Sequence, residues 1–367
     1  MIELTRTVAR LEQGIADGLH LGAQVYASLG GRTVADVAAG ENTRGVPMTP
    51  DTLMLWQSCT KPIVAVAIAQ LWERGLLDID DPVAKTIPEF AQNGKEAVTL
   101  RHILTHTGGF RFVMLRWFSQ TWEANFERIC AAPLEPGWVP GQKAGYHPAT
   151  SWFILAEVLR RLDGRPLEQY LRDEIFQPLS MADSWLSMTA ERFYAYDERI
   201  GVTWETAHGV TKPAELVDAE DGCTRARPGS SGRGPARELG RFYEMLLHGG
   251  SLDGARILSP QTVAALTAKH RVGMFDHTFQ CTVDWGLGFV ADSKQYEAKG
   301  FPYGFGPYAS PRSFGHGGSQ SSLSFCDPDA GLVAVIIANG MPGEQPHNRR
   351  FRALTTAIYE DLGLGEG

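Results

Sequence analysis

The chain has 367 residues, a formal net charge of −8, and a composition that is 43% hydrophobic and 21% charged. This is the composition of a globular protein with enough residues for two or three lobes, and the acidic balance argues against nucleic acid or an anionic membrane as a partner. The five cysteines are odd in number and include no Cys-x-x-Cys pair, so they predict neither a disulfide framework nor a zinc site.

The first eleven residues form an amphipathic pattern that lacks the basic and apolar regions of a signal peptide. No apolar run approaches the length that crosses a membrane. We therefore expect a cytoplasmic protein. The sequence does not indicate an oligomeric state.

The N-terminal part predicts a helix followed by a β-hairpin. Residues 3–18 have a helical pattern that ends near Gly18. Residues 24–29 and 33–38 then have strand patterns on either side of a two-glycine turn.

A long apolar helix is predicted next, over residues 58–74, with Gly75 as its cap. Because it is apolar on nearly every face, we expect it to be buried. Pro62 fits only near the first turn, so the helix should begin close to Ser58. Ser58 and Lys61 are three residues apart and would share one face. A hydroxyl beside an amine in a partly dry site has the chemistry of an activated nucleophile.

The rest of the chain alternates between a helical part and a return of strands. Residues 76–190 predict helices and loops, of which 151–162 and 167–175 are the clearest. The polar stretch 224–235 is interpreted as an ordered loop, because it is short and leads directly into a helix. Further strands are predicted at 199–204, 285–290, 321–326 and 332–339, further helices at 236–247, 260–269 and 348–362, and a loop at 293–313.

These elements predict an α+β protein. The N-terminal hairpin and the C-terminal strands would form one antiparallel sheet, flanked by the N- and C-terminal helices. Residues 1–80 and 195–367 would make this domain, and residues 81–194 a mainly helical inserted domain. The helix that begins at Ser58 would start at the seam, where ligand clefts tend to form.

Four further segments, in order and spacing, resemble one family. They are Gly75–Val83, Leu100–Gly109, Arg237–Tyr243 and Phe314–Ser319, with Tyr146 ahead of the 151–162 helix. The chain resembles the serine hydrolases that share the fold of class C β-lactamases and D-Ala-D-Ala carboxypeptidases, a family with a large esterase branch. The Ser-x-x-Lys motif belongs to the same resemblance.

The resemblance implies a role for each matching residue. Ser58 would be the acylated nucleophile, and Lys61 and Tyr146 would manage its proton. Which of these two is the base in the acylation step stays open. An ordinary lysine is neutral in only about one molecule in 2,500 at pH 7, so burial would have to lower its pKa.

The segment His316-Gly317-Gly318 takes the place in which β-lactamases of this fold carry Lys-Thr-Gly. The resemblance makes His316 a catalytic residue that donates to Tyr146, and the two glycines part of the substrate site. The oxyanion hole would be the backbone N–H groups of Ser58 and Ser319. No cofactor is implied.

Two departures from the family pattern favour an ester substrate. Pro148 stands where many relatives carry a polar side chain that helps hold an amide. His316 removes the fixed cation that would meet a β-lactam or peptide carboxylate. We therefore predict a serine hydrolase for a small-molecule carboxylic ester, working as an esterase or an acyltransferase. The alternatives are a β-lactamase or D-amino-acid peptidase and, third, a non-catalytic ligand-binding homologue.

Other candidate sites are weaker. His102 and His106 have helical spacing for a metal but lack an obvious third ligand, so we predict a structural role and no metal. Cys59 would point away from Lys61 and serve in packing. The aromatic stretches 110–122 and 303–308 are interpreted mainly as packing. Phe112, Trp152 and Tyr308 are candidates for an apolar wall of the substrate site.

Overall fold

The computed structural model of the protein describes residues 3–296 and 304–365. Within these ranges the α-helices are α1 (Thr5–Ala16), α2 (Lys61–Glu73), α3 (Leu100–Leu104), α4 (Trp122–Ala131), α5 (Thr150–Asp163), α6 (Leu167–Leu171), α7 (Ala190–Tyr196), α8 (Glu215–Asp218), α9 (Glu220–Thr224), α10 (Ala236–Leu247), α11 (Pro260–Thr267) and α12 (Glu344–Asp361).

The strands of the same ranges are β1 (Gly22–Leu29), β2 (Arg32–Thr43), β3 (Val46–Pro47), β4 (Met54–Leu55), β5 (Trp204–Glu205), β6 (Lys212–Pro213), β7 (Arg233–Gly234), β8 (Ser251–Leu252), β9 (Ala255–Arg256), β10 (Phe275–Asp276), β11 (Cys281–Thr282), β12 (Val290–Ala291), β13 (Phe314–Gly318), β14 (Ser322–Asp327), β15 (Leu332–Ala338) and β16 (Gly340–Met341).

The two ends of the chain build one antiparallel sheet in the order β12-β13-β14-β15-β1-β2-β3. Strand β1 lies at the junction, where Ala23 pairs with Ala338 and Leu29 pairs with Leu332 of β15. The predicted α+β class, with an antiparallel sheet made from both chain ends, is confirmed.

Side-chain alternation along the strands divides the core into two layers. Val25 of β1 and Phe325 of β14 pack with the terminal helices α1 and α12 on one face. Tyr26 points to the other face, where its hydroxyl donates to Glu244 of α10 at 2.5 Å. The sheet is therefore covered by helices on both sides.

The predicted buried helix is α2, and every residue from Lys61 to Leu71 is buried. The chain enters it through a 3₁₀ turn at Gln57–Thr60, so Ser58 lies one turn before the α-helix and not at its first residue. Gln57 has a φ of 51°, in the left-handed region that costs a non-glycine residue roughly 1–3 kcal/mol. The backbone just before Ser58 is therefore held in a strained turn.

The polar stretch at 224–235 is ordered, as predicted. The backbone N–H of Trp56 donates to the Gly232 carbonyl at 2.8 Å, and its indole N–H donates to the Gly234 carbonyl at 2.9 Å. β7 pairs with β4 just ahead of the Ser58 turn. This loop therefore braces the segment that carries the serine.

Two predicted strands are much shorter than expected. Of 285–290 only Val290 belongs to a strand, because Gly288 takes a φ of 83° where the chain passes close to Ala65. The other predicted strand covers residues 199–204, but residues 197–199 form a 3₁₀ turn and the strand begins only at Trp204. The last helix begins at Glu344, four residues earlier than predicted. Part of the predicted 293–313 loop lies outside the described residues.

The division into two domains stays a prediction, and its boundary at residue 194 falls inside α7. Residues 81–194 contribute α3 to α6 and most of α7, and none of the seven sheet strands. Among the described residues, no helix combines the length and the apolar character needed to cross a bilayer.

Candidate active site

Ser58, Lys61 and Tyr146 meet at one oxygen atom. The Tyr146 hydroxyl donates to Ser58 Oγ at 2.8 Å, and Lys61 Nζ lies 2.8 Å from the same atom. Ser58 itself is partly exposed, whereas the other two residues are buried. The serine is thus partly open to solvent, and its oxygen is backed by two proton-carrying groups.

The Lys61 side chain is completely buried, with 0% exposure, which is unusual for a lysine. Its amine donates to the Gly229 carbonyl at 2.7 Å and lies 5.6 Å from the centre of the Trp152 ring. Burial lowers the pKa of this amine well below its ordinary value, because the charged form loses its hydration. The neutral amine is therefore favoured far more than in an exposed lysine.

Tyr146 is held by its neighbours in the irregular segment that precedes α5. Its ring stacks on Phe279, with 4.8 Å between ring centres, and on Trp285 at 5.9 Å. Burial raises the pKa of its hydroxyl well above the ordinary value. The phenol is therefore protonated at neutral pH and can donate to Ser58.

His316 lies on β13, and its ring centre is 6.0 Å from that of Tyr146. Its Nδ1 is 2.6 Å from the Gly317 carbonyl, whereas its Nε2 is buried without a hydrogen-bond partner among the described residues. Burial and the nearby Lys61 lower the pKa of His316 to about 3. The imidazole is neutral, and the expected donation to Tyr146 is not formed in this conformation.

The end of β13 touches the Ser58 turn directly. A Cβ on Gly318 would overlap Ser322 Oγ and would lie 2.6 Å from the Trp56 carbonyl oxygen. Only a residue without a side chain fits there. Ser319, which follows Gly318, is exposed. This close approach places the two segments that carry the predicted oxyanion donors side by side.

The three candidates for an apolar wall lie in different places. Phe112 is 70% exposed and stacks under the Arg111 guanidinium at 4.6 Å. Trp152 is fully buried beside Lys61, so the structure gives it no open surface toward a substrate. Tyr308 is 38% exposed and packs on Tyr359 of α12, on the sheet face opposite to His316. Residue 303, in the same predicted stretch, lies outside the described residues.

The two histidines with metal-like spacing have separate structural tasks. His102 completes a capping box with Thr99 at the start of α3. His106 is buried, and its Nδ1 accepts the backbone N–H of His147 at 3.0 Å. The described part of the chain contains no group of three His, Cys, Asp or Glu side chains placed to hold a metal ion.

Cys59 packs as expected. Its thiol donates to the His316 carbonyl at 2.9 Å, and burial raises its pKa to about 11. The thiolate that a cysteine nucleophile needs is therefore disfavoured.

For several residues of the site, the sequence does not indicate that they lie beside Lys61 or Tyr146. His106 lies 4.8 Å from the Tyr146 ring, Gly229 accepts from Lys61, and Asp276 accepts the backbone N–H of Tyr146 at 3.1 Å. The Leu100–Gly109 match includes His106 but does not indicate its place beside Tyr146.

Comparison with known proteins gives a consistent result. The beta-lactamase family model matches residues 8–357. The esterase/beta-lactamase LipL of Mycobacterium tuberculosis (strain ATCC 25618 / H37Rv) is 28% identical over 349 residues, which are 85% of this chain and 75% of LipL. The esterase EstB of Burkholderia gladioli is 26% identical over 373 residues, with 92% of each chain covered.

Two solved structures have the same fold over nearly the whole chain. A penicillin-binding protein homologue from Caulobacter crescentus has a TM-score of 0.80 and 31% identity, with 98% of this chain and 97% of that chain covered. A family VIII carboxylesterase has a TM-score of 0.81 and 26% identity, with the same coverage of both chains.

Proposed function

Because the chain belongs to the beta-lactamase family, we propose that it is a serine hydrolase that cleaves small carboxylic esters through an acyl-Ser58 intermediate. The observation that carries this proposal is the convergence of Lys61 Nζ and the Tyr146 hydroxyl on Ser58 Oγ, each at 2.8 Å. Deacylation by water makes the protein an esterase, and deacylation by an acceptor alcohol or amine makes it an acyltransferase.

The pKa shifts support Lys61 as the base of the acylation step. A neutral amine can take the Ser58 proton as Oγ attacks the ester carbonyl carbon, and burial lowers the pKa of Lys61 toward that neutral form. The Tyr146 hydroxyl keeps its proton, since burial raises its pKa. It can therefore protonate the alkoxide that leaves as the tetrahedral intermediate collapses. The Lys61 ammonium then passes the proton taken from Ser58 to the tyrosinate, which returns both groups to their starting states.

The backbone N–H groups of Ser58 and Ser319 are the proposed oxyanion donors. The close contact of Gly318 with Trp56 supports this role, because it brings the two donor segments together. Removal of one such donor typically lowers kcat about a hundred- to a thousandfold. Gly317 and Gly318 would border the acyl group.

The polar groups of the site support an ester substrate. His316 is neutral, since its pKa is lowered to about 3, and it offers no fixed cation for a carboxylate. Pro148 has no polar side chain to hold an amide. The relatives include an esterase and a carboxylesterase by name. We further propose a cytoplasmic location, which cell fractionation would test.

A second candidate is a β-lactamase or D-amino-acid peptidase activity. It is supported by LipL, whose name joins esterase with beta-lactamase, and by relatives named as penicillin-binding proteins or D-alanyl-D-alanine carboxypeptidases. A non-catalytic binding role is less well supported, because the Ser58, Lys61 and Tyr146 side chains are all present and hydrogen-bonded.

Turnover of short-chain nitrophenyl esters and of a chromogenic β-lactam, in wild type and in Ser58→Ala, tests the proposal. We expect ester turnover that is lost in the variant, and weak or no β-lactam turnover. Faster β-lactam than ester turnover would support the second candidate. Turnover of neither compound class would support the binding role.

A further inference from the structure

Tyr146 lies in a segment without regular secondary structure, so neither a helix nor a sheet ladder holds its backbone. Backbone N–H and C=O groups buried in such a segment need partners from elsewhere. Both partners of Tyr146 come from residues 276–278, which are 130 or more positions away in the sequence.

Asp276 binds the backbone N–H of Tyr146. Its carboxylate is fully buried, and Oδ1 accepts the backbone N–H of Tyr146 at 3.1 Å. The same oxygen accepts the backbone N–H groups of Thr278 at 2.8 Å and Phe279 at 3.0 Å. One carboxylate oxygen therefore ties the tyrosine to the turn that follows Asp276.

Thr278 binds the backbone carbonyl of Tyr146. Its hydroxyl donates to the Tyr146 carbonyl at 2.9 Å and accepts from Arg111 Nη1 at 2.8 Å. The Arg111 guanidinium is itself fixed by Glu135, which accepts from its Nε and Nη2. The hydroxyl oxygen therefore accepts from Arg111 while its one proton is directed at the Tyr146 carbonyl.

Arg271 binds the second oxygen of the Asp276 carboxylate. Its Nη2 donates to Asp276 Oδ2 at 3.0 Å, and both side chains are almost completely buried. Its other donors reach the carbonyls of Thr105 and Val283. The charge of the Asp276 carboxylate is thus balanced inside the protein while Oδ1 serves the Tyr146 turn.

We propose that Asp276, with Thr278, is a positioning residue that fixes the Tyr146 backbone so that its hydroxyl stays within hydrogen-bond distance of Ser58 Oγ. This inference rests on the proposed function, in which the Tyr146 hydroxyl protonates the leaving alkoxide. The Phe279 ring, carried by the same turn, stacks on the Tyr146 ring and supports the same orientation.

The test introduces Thr278→Val and Asp276→Asn, each into the wild-type protein and into the Tyr146→Phe variant. It measures kcat and KM for a short-chain nitrophenyl ester in each protein. We expect each variant to lower kcat about tenfold or more with little change in KM, since displacement of a catalytic group by ~1 Å can cost about a hundredfold. In the Tyr146→Phe background the same changes should have almost no further effect, because the group they position is gone. Thr278→Ser should restore kcat.

Asp284→Asn is the matched control. Asp284 is an equally buried carboxylate, paired with Lys269 at 3.0 Å, but its described contacts do not include Tyr146. We expect kcat to be unchanged in this variant. Thr278→Val carries the test if Asp276→Asn does not fold, because it leaves the Arg271–Asp276 pair intact. Melting temperatures establish which variants are folded.

Three results would overturn the positioning role. Equal losses of kcat in the wild-type and Tyr146→Phe backgrounds would mean that the turn has only a structural effect. A rise in KM with unchanged kcat would assign these residues to substrate binding. Full activity of Tyr146→Phe would instead refute the proposed function of Tyr146, and the positioning role with it.

Discussion

Lys61 occupies a position where a lysine is rarely found, in the first turn of a helix that is buried along its length. An ammonium group placed there would lose its hydration without gaining a carboxylate partner, since its described hydrogen bonds go to Ser58 and to the Gly229 carbonyl. The protein therefore favours the neutral amine, which is the form that can accept a proton. The sequence predicts this lysine through Ser-x-x-Lys, but the carbonyl that orients it lies 168 residues away.

Lys61→Arg removes the proposed base while it keeps a long cationic side chain. The guanidinium does not deprotonate in proteins, so we expect kcat for a nitrophenyl ester to fall by about a hundred- to ten-thousandfold. Lys95→Arg is the control, because Lys95 is also buried but donates to the Cys130 carbonyl, away from Ser58. A Lys61→Arg enzyme with wild-type kcat would contradict the assignment of the base.

At the scale of elements, the site depends on how closely β13 approaches the Ser58 turn. The strand ends in Gly318, and no larger residue fits between it and Trp56. The pairing of β7 with β4 further braces the turn, whose Gln57 backbone is strained and needs such contacts to persist. The position of Ser58, the proposed nucleophile, is therefore set by contacts between elements and not by α2 alone.

Gly318→Ala should push these elements apart. The added methyl group would overlap Ser322 Oγ and lie 2.8 Å from the Cβ of Gln57. Because the proposed oxyanion donors lie on the two displaced segments, we expect kcat to fall by about tenfold or more, with a lower melting temperature. Steady-state kinetics and thermal unfolding measure both effects. Unchanged kcat would mean that the two segments do not share the oxyanion site.

Long regular elements could be predicted because their patterns are local. The apolar run of α2, the two-glycine hairpin and the strands β14 and β15 follow directly from periodicity and turn residues. The two-residue strands could not be predicted, since their pairing depends on distant partners. The same holds for Asp276, which carries no motif and reaches Tyr146 across 130 residues. Family resemblance supplied Tyr146 and His316, which periodicity alone does not single out.

For the whole molecule, burial of histidines links stability to pH. The pKa of each is lowered by burial, to about 3 for His20, His147, His316 and His347 and well below the ordinary value for His106. A group whose folded pKa is lowered stabilises the fold above its unfolded pKa of about 6.5, and this stability is lost as pH falls. As the pH falls, the histidines of the unfolded chain take up protons at a higher pH than those of the folded protein.

We therefore expect the free energy of unfolding to decrease between pH 7.5 and pH 5.5. Each buried histidine contributes about 1.4 kcal/mol of loss at pH 5.5, before any relaxation of the structure. Asp36, Glu238 and Asp292 act in the opposite sense, because burial raises the pKa of each carboxyl, to about 6 for Asp292, but they are fewer than the buried histidines. Urea unfolding at the two pH values measures the difference. Equal stability at both would contradict the neutral, buried state of these histidines.

The central claim is that Ser58 is the nucleophile, since Lys61 Nζ and the Tyr146 hydroxyl both converge on its oxygen. Intact mass after treatment with a fluorophosphonate probe tests it most directly, on wild type and on Ser58→Ala. We predict a single covalent adduct on wild type and none on the variant. An adduct that persists in Ser58→Ala would place the reactive serine elsewhere and contradict the account.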